Sequence, residues 1–577
     1  MSLLKSNNNF IKKIYLSSLF PNVIAVLGGT INVFFDGILV GQKMGDIGLS
    51  AVSQSLPIYL ILCTVGSLFA SGASFISSIA IGDNDKEKAL RIFRATFIVA
   101  IIASVVVCGA GLIFIDNIAK ILSTPETFEM VKIYVSITLI GGVFKVLLYV
   151  PFFYLRLEGK NNRSASAMLT MTILNIVLDY LFMFVFDDIF GTGKYAIRGA
   201  AWASVIATTV ACMMSLVYLF TDHSNFTLGF ASYKKEEWPL VLKYGSPMAL
   251  NNVLSSLRIL FLNLILKSMN ISSLIAIFAV INNLNEFSIC IQNGVPQTAS
   301  AMTGIFFGEK DSSSVKDLFK IEVKTGIVLS FVFSLVITIF SKQIGLLFGS
   351  SSDCSIGVIC FAISLLFATT NNVLSYYYNA IGRIELANVI TICRGFVMVV
   401  LFGYIFSIFG EYIWIFYPVA EIMTLLLVVF IGTIIAKKKD LCKFYLIDES
   451  FEKSGKSISF TVPCENDKIC EASQSVSDFC ETNGFDSRKT MSISLAIEEM
   501  LMIISQKSLM GHGTIDVRLI KSGEDAILRI RSGGNRYNPI EEMSDDLDYM
   551  GVQMISKMAK KTEYLSSLGV NTLIVFL

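Results

Sequence analysis

Asn175 and Asp179 stand four residues apart in LTMTILNIVLDYLFMFVF, so on a helix an amide and a carboxylate share one face, one turn apart. Asp36 is the only carboxylate in INVFFDGILVG, a stretch that otherwise reads as membrane helix. A carboxylate at mid-bilayer costs roughly 2.5–3.5 kcal/mol on insertion scales, so such groups face the protein interior and bind or relay something. Two chemistries fit. A hard cation such as Na⁺ takes several oxygens, and a buried carboxyl can instead carry a proton. The bland readings are an Asp36 wetted at a helix end and an Asn175–Asp179 pair that bonds helices together. A second polar set, Asn282, Asn283, Asn285, Glu286 and Gln292 with Glu421 further on, could line a substrate cavity or serve as helix-packing glue. Arg258 and Arg394 are candidate partners for these acids.

The elements that must position these groups are membrane helices. The 577 residues are 54% hydrophobic and 16% charged, with mean hydropathy +0.66, too apolar for a soluble globule. Apolar runs long enough to cross a ~30 Å hydrocarbon core recur twelve times, over 14–36, 54–80, 92–115, 132–155, 164–186, 199–220, 244–268, 276–306, 322–348, 355–381, 387–409 and 412–436. Lys437-Lys438-Lys439 ends this part, 440–456 reads as a polar linker, and 457–577 alternates short strand and helix patterns. The N-terminus, the segments near 83–94, 156–163, 234–243 and 310–324, and the 437–443 cluster hold roughly twenty basic residues against roughly seven in the intervening segments. The asymmetry predicts a plasma-membrane protein with both termini, and the C-terminal domain, in the cytoplasm.

The chain repeats. Pro21 and Pro247, Gly82 and Gly308, Asp83 and Glu309, Asp85 and Asp311, and Phe93 and Phe319 share one offset of 226 residues. The division is therefore a six-helix lobe over 1–226, a second over 227–439, the linker, and a domain over 457–577. An even helix count gives both lobes the same orientation, the geometry of alternating access about a central cleft. A channel is less natural, because nothing suggests a ring of like charges. The first lobe holds acids that the second lacks at the matching positions: position 262, the counterpart of Asp36, is Leu262, and Arg258 stands opposite Asn32. A net charge of +1 with no basic face argues against nucleic acid. The eleven cysteines include no CxxC pair, and Cys464, Cys470 and Cys480 match no zinc spacing, so no metal is expected beyond a Na⁺ at Asp36, Asn175 and Asp179. His223 and His512 are the only histidines, which makes His-based chemistry unpromising.

The proline-bearing first helix with VFFDGILVG, then LSAVSQSLPI, NIVLD, GAAWASV and YNAIGRIELAN, resembles the multidrug and toxic-compound extrusion (MATE) family over about 14–436. That resemblance implies two six-helix lobes forming a V and efflux of organic cations or drugs, driven by Na⁺ or H⁺ influx. It also implies a cation site on the helix-one acid, the Asn and Asp of helix five and a helix-six hydroxyl: Asp36, Asn175, Asp179 and Ser204. Two residues depart from the family pattern, Gly37 and Ser204, each usually Thr.

Residues 457–577 read strand (SISFTVP), helices over 465–483 and 487–507, strands over 514–521 and 525–532, a helix over 550–560 and a closing strand pair. The order and LAIEE resemble the ATP-binding domain of histidine kinases and anti-sigma-factor kinases. Glu499 keeps the family's acid and Gly534 and Gly551 its glycines, but Ile503 replaces the Mg²⁺-holding Asn, Ser532 the adenine-reading Asp, and Arg536 a glycine. An aliphatic side chain cannot ligate Mg²⁺, so phosphotransfer is not expected and the domain reads as a regulatory or protein-docking module. The chain as a whole is expected to be an α-helical polytopic exporter with no catalytic residue and no resident cofactor, whose partners are organic cations, the bilayer and a protein docking on 457–577. The alternatives are a lipid-linked precursor flippase and a membrane-anchored ATP-binding signalling protein.

Overall fold

The computed structural model describes residues 8–186, 195–221, 224–269, 271–347, 353–449, 457–522, 525–541 and 550–577. His223 and 450–456, the second part of the expected linker, lie outside these residues.

The first helical run, Asn8–Gly82, is broken at Gly45 (φ 62°, ψ −156°) into α1 (Phe10–Gly45) and α2 (Ile47–Gly82). Glycine takes a positive φ at no steric cost, so one residue suffices to interrupt the helix. The loop expected over 37–53 is therefore mostly helix. There follow α3 (Lys86–Ile113), α4 (Phe128–Leu157), α5 (Asn161–Phe186), α6 (Ala196–Phe220), α7 (Glu237–Ser268), α8 (Ser272–Gly308), α9 (Ser312–Ile339), α10 (Ser355–Ala380), α11 (Ile384–Gly410) and α12 (Tyr412–Lys439). Among the described residues eleven of these helices are long and apolar enough to cross a membrane. At the place of the remaining expected span, 276–306, α8 is a continuous helix of 37 residues packed among them.

The repeat is visible in local structure. Asp85 caps α3 by accepting from Lys88 N at 2.9 Å, and Asp311 caps α9 by accepting from Ser314 N at 3.1 Å. The residue before each cap, Asn84 or Lys310, has φ 65° or 55°. A wide π-type turn forms the last described part of α5, Leu181–Phe186, and another interrupts α11 at Cys393–Val397, the fifth helix of each half. Such turns frequently mark functional sites.

Helices α1–α6 pack on one another, as do α7–α12, and the two sets meet where α1 and α2 lie against α7 and α8. Contact there is backbone to backbone. A Cβ on Gly72 would lie 2.1 Å from Val241 O, one on Gly245 1.9 Å from Leu68 O, and one on Gly82 2.1 Å from Ile305 O. The lobes are thus tightly joined at the end bearing Gly82 and Gly308.

The C-terminal domain is a two-layer sandwich in the element order its pattern predicts: β1 (Ser457–Pro463), α13 (Asn466–Thr482), α14 (Ser487–Lys507), β2 (Thr514–Ser522), β3 (Asp525–Ser532), α15 (Met550–Met558), β4 (Lys561–Ser567) and β5 (Val570–Phe576). Its antiparallel sheet runs β1-β2-β3-β5-β4. Strand side chains alternate between faces. Val517, Leu519, Leu528, Ile530, Leu573 and Val575 join Ile497, Met500 and Ile504 of α14 in one core. The alternate positions, Asp516, Arg518, Arg529 and Arg531, take the opposite face and are buried as well.

Candidate functional site

Helices α1 and α5 are held in register by Thr172, whose Oγ1 donates to Gly28 O at 2.8 Å, with Gly28 bare enough to let it approach. One turn further along each helix, Asn32 meets Asn175. Another turn brings Asp36 and Asp179 close enough to repel one another. The ladder follows from the 3.6-residue period on two helices running the same way. From α6, Ser204 Oγ lies 3.1 Å from the Asn175 amide. The amide orientation that satisfies every neighbour donates to Asn32 Oδ1 at 2.7 Å and Asp179 Oδ2 at 3.2 Å and accepts from Ser204 Oγ at 3.1 Å. Asp36, Asn175, Asp179 and Ser204 therefore fall in one neighbourhood, with Asn32 as an unforeseen fifth member.

Among the described residues, Asp36 Oδ1 and Asp179 Oδ1 are buried and accept no hydrogen bond. Asp36, Asn32, Ser204, Tyr59, Tyr134 and Lys145 line a cavity of about 200 Å³. Asn32, Asn175, Ser204 and Lys145 also line a cavity of about 310 Å³ between the lobes, faced from the second lobe by Met248, Asn252 and Glu286. Chemically the first site is a nest of oxygens with two carboxylates and too few donors, so a cation or protons would complete it. Lys145 sits mid-helix in FEMVKIYVSITLIGGVFKVLLYV, its Nζ donating to Tyr59 Oη at 2.9 Å. A charge in the middle of an apolar run was the available signal for it.

The second polar set does not form one cavity. Glu286 faces the interlobe cavity. Asn282, Gln292 and Glu421 line a separate cavity of about 30 Å³ inside the second lobe, with Arg258 and Arg394. There Arg394 Nε donates to Glu421 Oε1 at 2.9 Å, Nη1 to Asn372 Oδ1 at 2.8 Å, and Nη2 to Gln292. Asn371 Nδ2 donates to Glu421 Oε2 at 2.8 Å. Asn283 belongs to neither lining and donates to Ala279 O of its own helix at 3.1 Å. Leu262, the counterpart of Asp36, is buried among aliphatic and aromatic side chains.

In the C-terminal domain, Glu499 Oε2 accepts from Val552 N at 3.3 Å, beside Gly551 in the first turn of α15. Ile503 packs into the core. Gly534 (φ +91°) is pressed so close that a Cβ would lie 2.4 Å from Ser508 O. Its loop is pinned by Ser508 Oγ donating to Asn535 O at 2.7 Å and Asn571 Nδ2 to the same oxygen at 2.8 Å. No three His, Cys, Asp or Glu side chains converge as a metal site among the described residues.

Two repeated lobes of membrane-length helices, with polar cavities within and between them, define a polytopic transporter. The chain belongs to the MatE family, whose model matches residues 21–181 and 247–405. It is similar to the multidrug export protein MepA of Staphylococcus saprophyticus, 24% identical over 397 residues covering 67% of this chain and 85% of that protein. The MepA of Staphylococcus aureus strain NCTC 8325 is also 24% identical, over 402 residues covering 68% and 86%. Among solved structures, an outward-facing multidrug resistance MATE transporter of the MOP superfamily superposes with a TM-score of 0.69 at 23% identity, covering 74% of this chain and 97% of that one. A MOP-superfamily transporter from Pyrococcus furiosus superposes with 0.69 at 22% identity, covering 76% and 100%. These structural likenesses carry the fold of the membrane part.

Proposed function

We propose that the protein exports amphipathic organic cations and drugs by alternating access, in exchange for Na⁺ or H⁺ held by Asp36, Asn175, Asp179 and Ser204. The observation that carries this reading is the pair of buried carboxylate oxygens, Asp36 Oδ1 and Asp179 Oδ1, that accept nothing from the protein. An uncompensated acid pair in a low-dielectric site favours whatever positive charge can reach it. The family's curated relatives, named as multidrug export proteins, support the direction of transport and the breadth of substrate. The interlobe cavity, lined by Phe152, Phe153, Met168, Met171 and Met248, suits apolar and adaptable cargo. Both termini lie on the cytoplasmic side of the plasma membrane, on the strength of the basic-residue asymmetry.

The C-terminal domain is regulatory and neither binds nor hydrolyses nucleotide. Ile503 in the core and the Gly534 loop collapsed onto Ser508 support this. Efflux of a fluorescent organic cation from proteoliposomes, with Na⁺ and pH gradients imposed separately, tests the proposal. Asp36→Asn and Asp179→Asn should each abolish gradient-driven flux in folded protein. Wild-type rates in both variants would refute the coupling site.

A further inference from the structure

The uncovered face of the C-terminal sheet does not face solvent. Arg518, Arg529 and Arg531 project from it onto the turn between α8 and α9 in the second lobe. Arg518 pairs with Asp311 and donates from Nη2 to Lys310 O at 3.1 Å. Arg529 Nη1 lies 3.2 Å from Glu309 Oε2. Arg531 pairs with Glu309, lies 3.4 Å from Asp311 Oδ2 and 3.1 Å from Asp516 Oδ2, and stacks 4.8 Å over the Phe306 ring. Three guanidinium groups thus face three carboxylates, all buried. Burial pulls the Arg529 guanidinium down to about 10 and that of Arg531 to about 9, which leaves both charged at neutral pH.

The far edge of the same sheet grips the first lobe. The β4–β5 turn, Leu568-Gly569, enters the turn between α4 and α5, where Leu568 N donates to Leu157 O at 3.3 Å. A Cβ on Gly159 (φ +76°) would lie 2.1 Å from Gly569 N. Asn225 Nδ2 donates to Ser566 O at 2.7 Å, Lys86 Nζ donates to Tyr564 O, and Leu565 and Leu568 join the apolar cluster of the membrane helices.

We propose that the C-terminal domain is an intramolecular clasp. Its arginine face holds the Glu309–Asp311 turn of one lobe while its β4–β5 hairpin holds the α4–α5 turn of the other, at the end where the lobes already touch. The inference builds on the transport reading for its consequence. Lobes that alternate must part at this end, so the clasp must leave at least one of them in each cycle, and its grip sets the rate. Discrimination between the two acidic turns is built in. Asp83-Asn84-Asp85 has the backbone of Glu309-Lys310-Asp311 but receives no arginine among the described contacts of the sheet.

The test uses the full chain in liposomes. Ser78 is buried against Gly304 of the other lobe, so the thiol of Ser78→Cys is reached only when the lobes part at this end. Its maleimide modification is read at that residue by mass spectrometry. Adding Glu309→Arg should raise the labelling rate by about tenfold or more, equivalent to about 1.4 kcal/mol, and should raise cation efflux. Adding Arg531→Glu to that variant should return labelling towards the parent. Tying Asn225→Cys to Ser566→Cys with a cleavable thiol reagent should leave labelling unchanged. Adding a second tie, Lys310→Cys to Arg518→Cys, should stop labelling until the reagent is cleaved. Labelling within twofold of the parent in Glu309→Arg, or undiminished under both ties, would overturn the clasp. Labelling does not depend on flux, so a protein that transports nothing would count against the transport reading while the clasp was still decided.

Discussion

The second-lobe cluster gives a prediction whose size can be worked from contacts. The side chains of Arg394 and Glu421 are 12% and 11% exposed, and the contact is bifurcated, with Nε at 2.9 and 3.2 Å from the two carboxylate oxygens. Arg394→Met removes the charge and also leaves Asn372 Oδ1 and Gln292 Oε1 without the donor they now share. Glu421 would keep only the Asn371 amide. Removing one partner of a buried pair costs about 3–5 kcal/mol, whereas replacing both by apolar groups of similar volume is often close to neutral. Arg394→Met should therefore lose about 3–5 kcal/mol of stability, and Arg394→Met/Glu421→Leu should recover most of it. The control is Lys243–Glu385, 2.5 Å apart but 49% and 69% exposed, where Lys243→Met should cost no more than about 1 kcal/mol. Denaturant titration of the detergent-solubilised chain measures all three. If Arg394→Met costs no more than Lys243→Met, or if the double variant is as unstable as the single, the second-lobe cluster is not a closed electrostatic unit.

Three further outcomes follow from the contacts. Ser204→Ala deprives the Asn175 amide of its partner and should raise the half-saturating concentration of the driving ion about tenfold, for a loss of about 1.4 kcal/mol; Ser204→Thr should restore it, and an unchanged ion dependence in the Ala variant would remove Ser204 from the site. Lys145→Met removes a positive charge from the lining of both cavities, so KM for a cationic substrate should fall, and an unchanged KM would place Lys145 outside substrate recognition. Ile503→Asn introduces the residue type that holds Mg²⁺ in the ATP-binding domains whose sequence pattern 457–577 resembles but puts an amide in the core, and should cost about 2–4 kcal/mol without conferring ATP binding by calorimetry; Mg²⁺-dependent binding would reverse that reading.

Much of the architecture was legible because membrane helices and alternating strands are written in composition. The apolar runs, the 226-residue offset and the strand–helix order of 457–577 needed no tertiary information. Element limits were harder: GQKMGDIG looks like a loop, yet Gly45 alone breaks the helix, so α1 and α2 extend well past the apolar residues. Asn32 was visible one turn before Asp36, but its meeting with Asn175 depends on the Gly28–Thr172 contact, which brings together residues 144 apart. Asn282, Asn283 and Glu286 are neighbours in sequence and part company in the fold because successive helical positions face different ways. The arginines of IDVRLIKS and AILRIRS show a period of two, which announces a charged sheet face. Nothing local says that the matching acid, Asp311, lies 207 residues before Arg518 and 220 before Arg531.

The two lobes start from the same scaffold and settle opposite electrostatic problems. Each has a wide turn in its fifth helix beside a buried acid, Asp179 before Leu181–Phe186 and Glu421 against the Arg394 of Cys393–Val397. In the second lobe the compensating cation is covalently part of the protein, and the acid, its guanidinium and the surrounding amides close on themselves. In the first lobe neutral Asn32 stands at the counterpart of Arg258, the Asn175 amide reaches only Asp179 of the two carboxylates, and the Ser204 hydroxyl bonds that amide and neither acid. A buried pair that supplies its own counter-charge has no reason to exchange ions with solvent, whereas an acid pair without one is stable only when a mobile charge is present. The proposed gradient coupling is therefore assigned to the first lobe on electrostatic grounds. The same reasoning makes Arg394 the residue whose loss would turn the second lobe into a competitor for the driving ion.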